Sequence, residues 1–223
     1  MQPIDYDFED VRQTTERNCS QTALAMLMSY YGHPMSVEDV MRTVPQGRDE
    51  QGNPYGSNLV QELAAWCLSA GFGVRMHTFD CQIIDLAWEG LPATELINRL
   101  EAARGVRISA AQGPHISNQY IDAYLNFLKR GGNLRIEPFP RARLLYELLQ
   151  KAPVVVAVCF NTLHNAGGSE TTHTVLVYGY DPQGNFLVAD PYEGRIVVDP
   201  ERLVCAISAA QIECDNVLFQ ITT

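Results

Sequence analysis

No stretch of this chain approaches the roughly 20 apolar residues that a membrane-spanning helix needs. Its opening, MQPIDYDFEDVRQ, is acidic and lacks the apolar core of a secretory signal. Cationic charge is scarce: 16 Lys and Arg stand against 26 Asp and Glu, for a formal net charge of −10. Such a surface repels phosphate, which argues against a nucleic-acid partner and against an anionic membrane; the acidic excess otherwise serves solubility. No CxxC or HxxxH pair occurs, so a zinc enzyme is the remotest reading. There are no internal repeats and no low-complexity tracts. The expectation is a cytoplasmic protein with no cofactor, no nucleic-acid partner and no membrane partner.

What is present suffices for a buried core. The 223 residues are 46% hydrophobic and 19% charged, and a chain of this size needs no disulfide or metal staple. It is long for one α+β domain and short for two, which points to a single domain over 1–223 carrying an insertion. The six cysteines are Cys19, Cys67, Cys81, Cys159, Cys205 and Cys214. Cys67 and Cys159 lie inside apolar runs and read as core thiols. Cys19 stands apart by its context.

Residues 19–31, CSQTALAMLMSYY, are apolar at helical spacing, with Asn18 as a cap type before them and Gly32 as a stop. Residues 36–43 make a short helix with Ser36 and Asp39 at capping-box spacing. Residues 57–70 form a third, with Leu59, Leu63, Trp66, Cys67 and Ala70 on one face and Gly71 closing it. Residues 72–77 alternate as a strand. The middle reads as a helical insertion at about 80–135. Its helices span 82–104 and 115–130, with loops at Gly90-Leu91-Pro92 and Ala111-Gln112-Gly113-Pro114. Residues 141–151 add one more helix. After Pro153 the period changes: VVVAVCF, 154–160, is a buried strand. Strands over 173–180, 186–189, 195–198 and 216–221 follow, with a turn at 181–185. A short helix over 200–210 is capped by Asp199 and opened by Pro200. Helices first and an antiparallel sheet last is an α+β order, with N-terminal helices packed on a C-terminal antiparallel sheet.

Four residues in this frame form a chemical set. Cys19 opens the first long helix, where free N–H groups and the positive helix end stabilise a thiolate, the nucleophilic form. Position alone also fits a buried cysteine at a helix end, the commoner case. His173 opens a strand and Asp190 ends the next one. Antiparallel neighbours joined by a short turn bring such residues within side-chain reach, and an acid beside an imidazole fixes its tautomer. Gln13, six positions before Cys19, carries an amide that can donate to an oxyanion forming at the sulfur, together with the Cys19 N–H. Singly, these three also read as a strand-end histidine, a turn-starting Asp-Pro and a surface glutamine.

The segment Gln13-Thr14-Thr15-Glu16-Arg17-Asn18-Cys19, running into LAMLMSYYG, resembles the cysteine peptidase domain of bacteriocin-processing transporters, the double-glycine leader peptidases. HTVLVYGYDPQGNFLVADPYEG resembles that family's His and Asp-Pro motifs. The resemblance implies a papain-like cysteine peptidase fold. It implies Gln13 as the oxyanion-hole glutamine, Cys19 as nucleophile, His173 as general base and Asp190 as orienting acid. Over nearly its whole length the chain is similar to a standalone bacterial group of that superfamily, often encoded beside ATP-grasp peptide ligases. The marks of that group are residues 123–135, AYLNFLKRGGNLR, and the tail 213–218, ECDNVL. A peptide or protein substrate, such as the product of an ATP-grasp peptide ligase, is what this implies. Two departures stand out. Ser20 replaces the glycine that follows the nucleophile in the transporter peptidases, which is expected to tighten the approach to the sulfur. No transporter domain follows, so leader peptides bound to an exporter are not the implied substrate.

The expected activity is peptide or peptide-amide hydrolysis through the Cys-His-Asp triad, maturing or trimming a small peptide. Two alternatives stay open: an acyltransferase or transamidase using the same triad, and a catalytically silent papain-like peptide-binding domain. Residues 161–172, NTLHNAGGSETT, form a candidate lid or substrate loop leading into His173. His164 within it could contact substrate, although a plain loop histidine is the commoner case.

Overall fold

The computed structural model describes residues 2–48, 51–54, 57–106, 113–168, 171–210 and 216–222. The apolar run after Asn18 forms α1, Cys19–Tyr30, and residues 20–28 are buried on every side of it. Asn18 holds the N-cap position, yet its side chain does not cap. It turns back, accepting from Thr15 N at 3.2 Å and donating to Thr14 Oγ1 at 2.9 Å. The approach loop is thereby fixed, and the first-turn N–H groups carry no side-chain cap. Gly32, at φ +75°, ends α1, with His33 N donating to Met28 O. The expected reciprocal capping box of Ser36 and Asp39 opens α2, Val37–Thr43. α3 spans Val60–Ser69 and buries Val60, Leu63, Ala64 and Cys67.

The strands are β1 Ile4–Asp5, β2 Gly73–Thr78, β3 Asn133–Ile136, β4 Val154–Cys159, β5 Thr172–Tyr180, β6 Phe186–Asp190, β7 Gly194–Val198 and β8 Val217–Thr222. They make one sheet in the order β3-β2-β8-β4-β5-β6-β7, with β1 paired to β5. The sheet is mixed rather than antiparallel, because β3 runs parallel to β2. A parallel neighbour needs a long crossover. Here the crossover holds a 3-10 turn at Leu86–Trp88, then α4, Ala93–Ala103, and α5, Gly113–Lys129. The helix expected over 82–104 is therefore confined to its C-terminal half, with Asp85 capping the 3-10 turn. Gly113 and Pro114 lie in the first turn of α5 instead of a loop, a position that tolerates proline's missing N–H.

Both faces of the sheet are covered, not only the face toward the N-terminal helices. Val155, Ala157, Leu176 and Phe219 share one core with α1, α3, α4 and α5. Val154, Val156, Val158, Val175 and Val177 share the other with α6, Ala142–Leu149, α7, Phe160–His164, and α8, Pro200–Ala209. Two covered faces explain why β4 is an unbroken apolar run without polar alternation. At Gly179 the ladder is irregular, and a Cβ there would stand 2.0 Å from Ile4 O. Only glycine lets β1 approach β5 so closely.

Candidate active site

The β5–β6 ladder pairs Leu176 with Ala189 and Val177 with Val188. Asp190, one step further along β6, therefore lies diagonally across from His173, within reach of a side chain. His173 Nε2 and Asp190 Oδ1 are 2.9 Å apart, and both residues are buried. Cys19 enters from α1, which packs against β5. Its thiol is hydrogen bonded to His173, and the backbone N–H groups of Thr174 and Ser20 also point at the sulfur. Since Nε2 of His173 is held by Asp190, Nδ1 is the nitrogen that faces the sulfur. Cys19 remains partly exposed between the buried Asn18 and Ser20.

The charges reinforce one another. Burial is the largest influence on Cys19 and pushes its thiol up. The hydrogen bond and charge of His173, with the two N–H groups, outweigh it and hold the thiol below its ordinary range. Burial alone lowers His173, but the hydrogen bonds to Asp190 and Cys19 prevail and raise it. Burial also raises Asp190; His173, the Tyr192 N–H and His164 overcome it and hold the carboxyl well below the usual carboxylate range. The arrangement favours a thiolate–imidazolium pair beside an ionised carboxylate. Cys67 shows what burial does without such partners: its thiol is pushed up to about 12.

Gln13 reaches this end of the sheet through the backbone. Its N–H donates to Pro191 O at 2.9 Å, and Arg12 Nη1 donates to Tyr192 O at 3.0 Å. The N-terminal segment is thus fastened to the β6–β7 turn, immediately after Asp190. Gln13 Oε1 is buried with no hydrogen-bond partner. Gly194 closes the turn at φ +90°, and the Arg12 guanidinium occupies the space a Cβ would take. Gly194→Ala is expected to cost about 1–3 kcal/mol through the disfavoured backbone alone. Its Tm should fall, and limited proteolysis should cut residues 6–13 sooner than in the wild type.

The sequence-predicted set is therefore assembled in part by direct contact (Cys19, His173, Asp190) and in part by a backbone tie (Gln13). The sequence reading of His164 as a loop histidine misses its place in the site. Residues 160–164 are the helix α7 rather than the start of a loop. From there His164 Nε2 meets the second oxygen of Asp190, Oδ2, at 2.8 Å. The i,i+4 spacing of Phe160 and His164, which sets both on one helix face, was the local signal. The Phe160 ring lies against His164 at 4.4 Å and edge-on to His173 at 5.3 Å. Ser20 is buried, accepting from Asn58 N and donating to Gln21 Oε1. Residues 169 and 170 of the expected lid, and Glu213, Cys214 and Asp215 of the tail motif, lie outside the described residues. Among the described residues no group of three His, Cys, Asp or Glu is arranged to hold a metal ion. No helix among them is long and apolar enough to cross a membrane.

Residues 97–202 match the model of the Peptidase_C39 like family. The matched segment runs from α4 into α8; it contains His164, His173 and Asp190 and leaves Gln13 and Cys19 outside. No curated protein matches the chain. Among solved structures it is similar to a double glycine motif protease from an AMS/PCAT transporter, in complex with the leader peptide. The two share 12% identity over 99% of this chain and 97% of that chain, with a TM-score of 0.48.

Proposed function

We propose that this Peptidase_C39-like protein is a cysteine peptidase or peptide-amide hydrolase that works by acyl transfer through Cys19. The observation that carries the proposal is Cys19, at the start of α1, set against His173, whose Nε2 is 2.9 Å from Asp190 Oδ1. The thiolate attacks an amide carbonyl carbon, and the carbonyl electron pair moves onto oxygen. The Cys19 N–H and the Gln13 side-chain amide stabilise that oxyanion. The buried position now taken by Gln13 Oε1 has no partner; a half-turn of the amide presents Nε2–H there instead. His173 passes its Nδ1 proton to the leaving nitrogen as the C–N bond breaks, leaving a thioester. His173 then takes a proton from water, whose oxygen displaces the sulfur and releases the acid. Asp190 holds the imidazole in the tautomer and orientation that both steps need.

A small peptide is the substrate class we assign, matured or trimmed after assembly by a ligase of the ATP-grasp type. The support is the resemblance of residues 123–135 to the group encoded beside such ligases. The test is digestion of a mixed peptide library, with new termini read by mass spectrometry. Wild type is expected to generate termini and Cys19→Ala none; cleavage that survives in Cys19→Ala overturns the proposal. Gln13→Ala separates the oxyanion from the nucleophile. It is expected to lower kcat about 10²–10³-fold, while the alkylation rate of Cys19 stays unchanged.

A further inference from the structure

We propose that His164 is a positioning residue: from α7 it donates Nε2–H to Asp190 Oδ2 and holds the carboxylate ionised and in plane for His173. This rests on the reading of Cys19 and His173 given above, and adds to it a second histidine on the same carboxylate. The Asp190 side chain is fully buried. Oδ1 is heavily used, accepting from His173 Nε2 at 2.9 Å, Tyr192 N at 2.7 Å and Glu193 N at 3.2 Å. Oδ2 accepts from His164 at 2.8 Å. Without that donor, one oxygen of a buried carboxylate has no hydrogen bond among the described residues. A buried carboxylate short of donors either takes up a proton or rotates to find one. A protonated Asp190 brings no charge to hold the His173 imidazolium, and a rotated one loses the line to Nε2. Either change weakens the thiolate of Cys19, two hydrogen bonds away.

The fold holds His164 in place for this task. α7 packs on α8 and β4, and Leu163 is buried in the core beneath it. Asn165 ends the helix in the left-handed region, at φ +52°. Phe160, one helical turn earlier, backs the His164 ring and meets His173 edge-on. The imidazole is only partly buried, with 16% of its side chain exposed. It faces Asp190 on one side and solvent on the other.

The test is the pH profile of Cys19 alkylation by iodoacetamide between pH 5 and 9, in wild type, His164→Phe and His164→Gln. Phenylalanine keeps a ring against Phe160 and has no donor; glutamine keeps a donor. In His164→Phe the low-pH inflection is expected to move up by about one pH unit, so that labelling at pH values below it slows about ten-fold. His164→Gln is expected to recover most of that loss. Circular dichroism melts establish that each variant is folded, and His164→Ala takes the place of the phenylalanine variant should that one fail to fold. A His164→Phe profile that superimposes on wild type overturns the role of His164 and leaves the Cys19–His173 pair standing. An equal shift in the phenylalanine and glutamine variants overturns the donor assignment. A wild type whose Cys19 labels at pH 5 no faster than the exposed Cys81 overturns the Cys19–His173 pair itself, and the role of His164 with it.

Discussion

Iodoacetamide labels Cys19 at pH 6 well ahead of Cys67, Cys81, Cys159 and Cys205, and His173→Ala slows that labelling about 100-fold: this is the expected result with the largest effect. An ordinary thiol near 8.5 is thiolate to only about 0.3% at pH 6. Cys81 and Cys205 are exposed, so access does not hold them back. Cys19 gains its advantage from the His173 hydrogen bond and charge, which oppose a burial effect of the other sign. Removing the imidazole leaves burial dominant, and the thiol rises as it does at Cys67. The same balance sets the pH dependence of turnover. The rate is expected to rise with pH through the lowered value of Cys19, as the thiolate forms. It should fall through the raised value of His173, when the proton for the leaving amine is lost. Labelling of Cys19 no faster than that of Cys81, unchanged in His173→Ala, would make the molecule a binding module rather than an enzyme.

Asp190→Ala is expected to destabilise the fold by about 3–5 kcal/mol, the usual cost of breaking a buried hydrogen-bonded ion pair from one side. Four donors lose their acceptor at once: His173, His164, Tyr192 N and Glu193 N. For a chain of this length the Tm should fall by roughly 10 °C. The sign of the pH dependence follows from the shifts. Asp190 is depressed on folding, so its contribution is complete above the ordinary carboxylate value of about 4 and is lost as pH falls toward the folded value. His173 is raised on folding, so its contribution is complete below the ordinary histidine value of about 6.5 and is lost as pH rises through the folded value. The stability gap between wild type and Asp190→Ala should therefore be widest between about pH 5 and 6.5, closing on both sides. Urea unfolding at a series of pH values measures it. A gap that does not narrow below pH 4 contradicts the assignment of Asp190 as an ionised buried partner.

The two variants probe different links of one structure. Cys19 reports the electrostatics at the helix end, and Asp190 reports what holds the sheet end together. Gln13 and Gly194 test the strap that ties the N-terminal segment to the same turn.

Local sequence determined a large part of this protein by itself. The helices at residues 19–31, 36–43, 57–70, 141–151 and 200–210 were legible from their apolar periodicity, with glycine stops at Gly32 and Gly71 and caps at Ser36 and Asp199. The ladder from β5 to β7 was legible because its strands are separated by short turns that leave little choice of partner, and β4 by its continuous β-branched run. Cys19, His173 and Asp190 could be named because each stands at the end of such an element. Tertiary structure alone decided the rest. β1 is two residues long and β3 four, too short for a period to register; they are strands only because β4 stops short of the end of β5 and because β2 offers an open edge. Gln13 lies beside the turn after Asp190 through a backbone bond to Pro191, a contact between residues 178 positions apart that no local pattern encodes. His164 looked like one polar residue in a polar loop. It becomes a partner of Asp190 because the second helical layer brings α7 onto the end of the sheet, where a buried carboxylate still has an oxygen to satisfy.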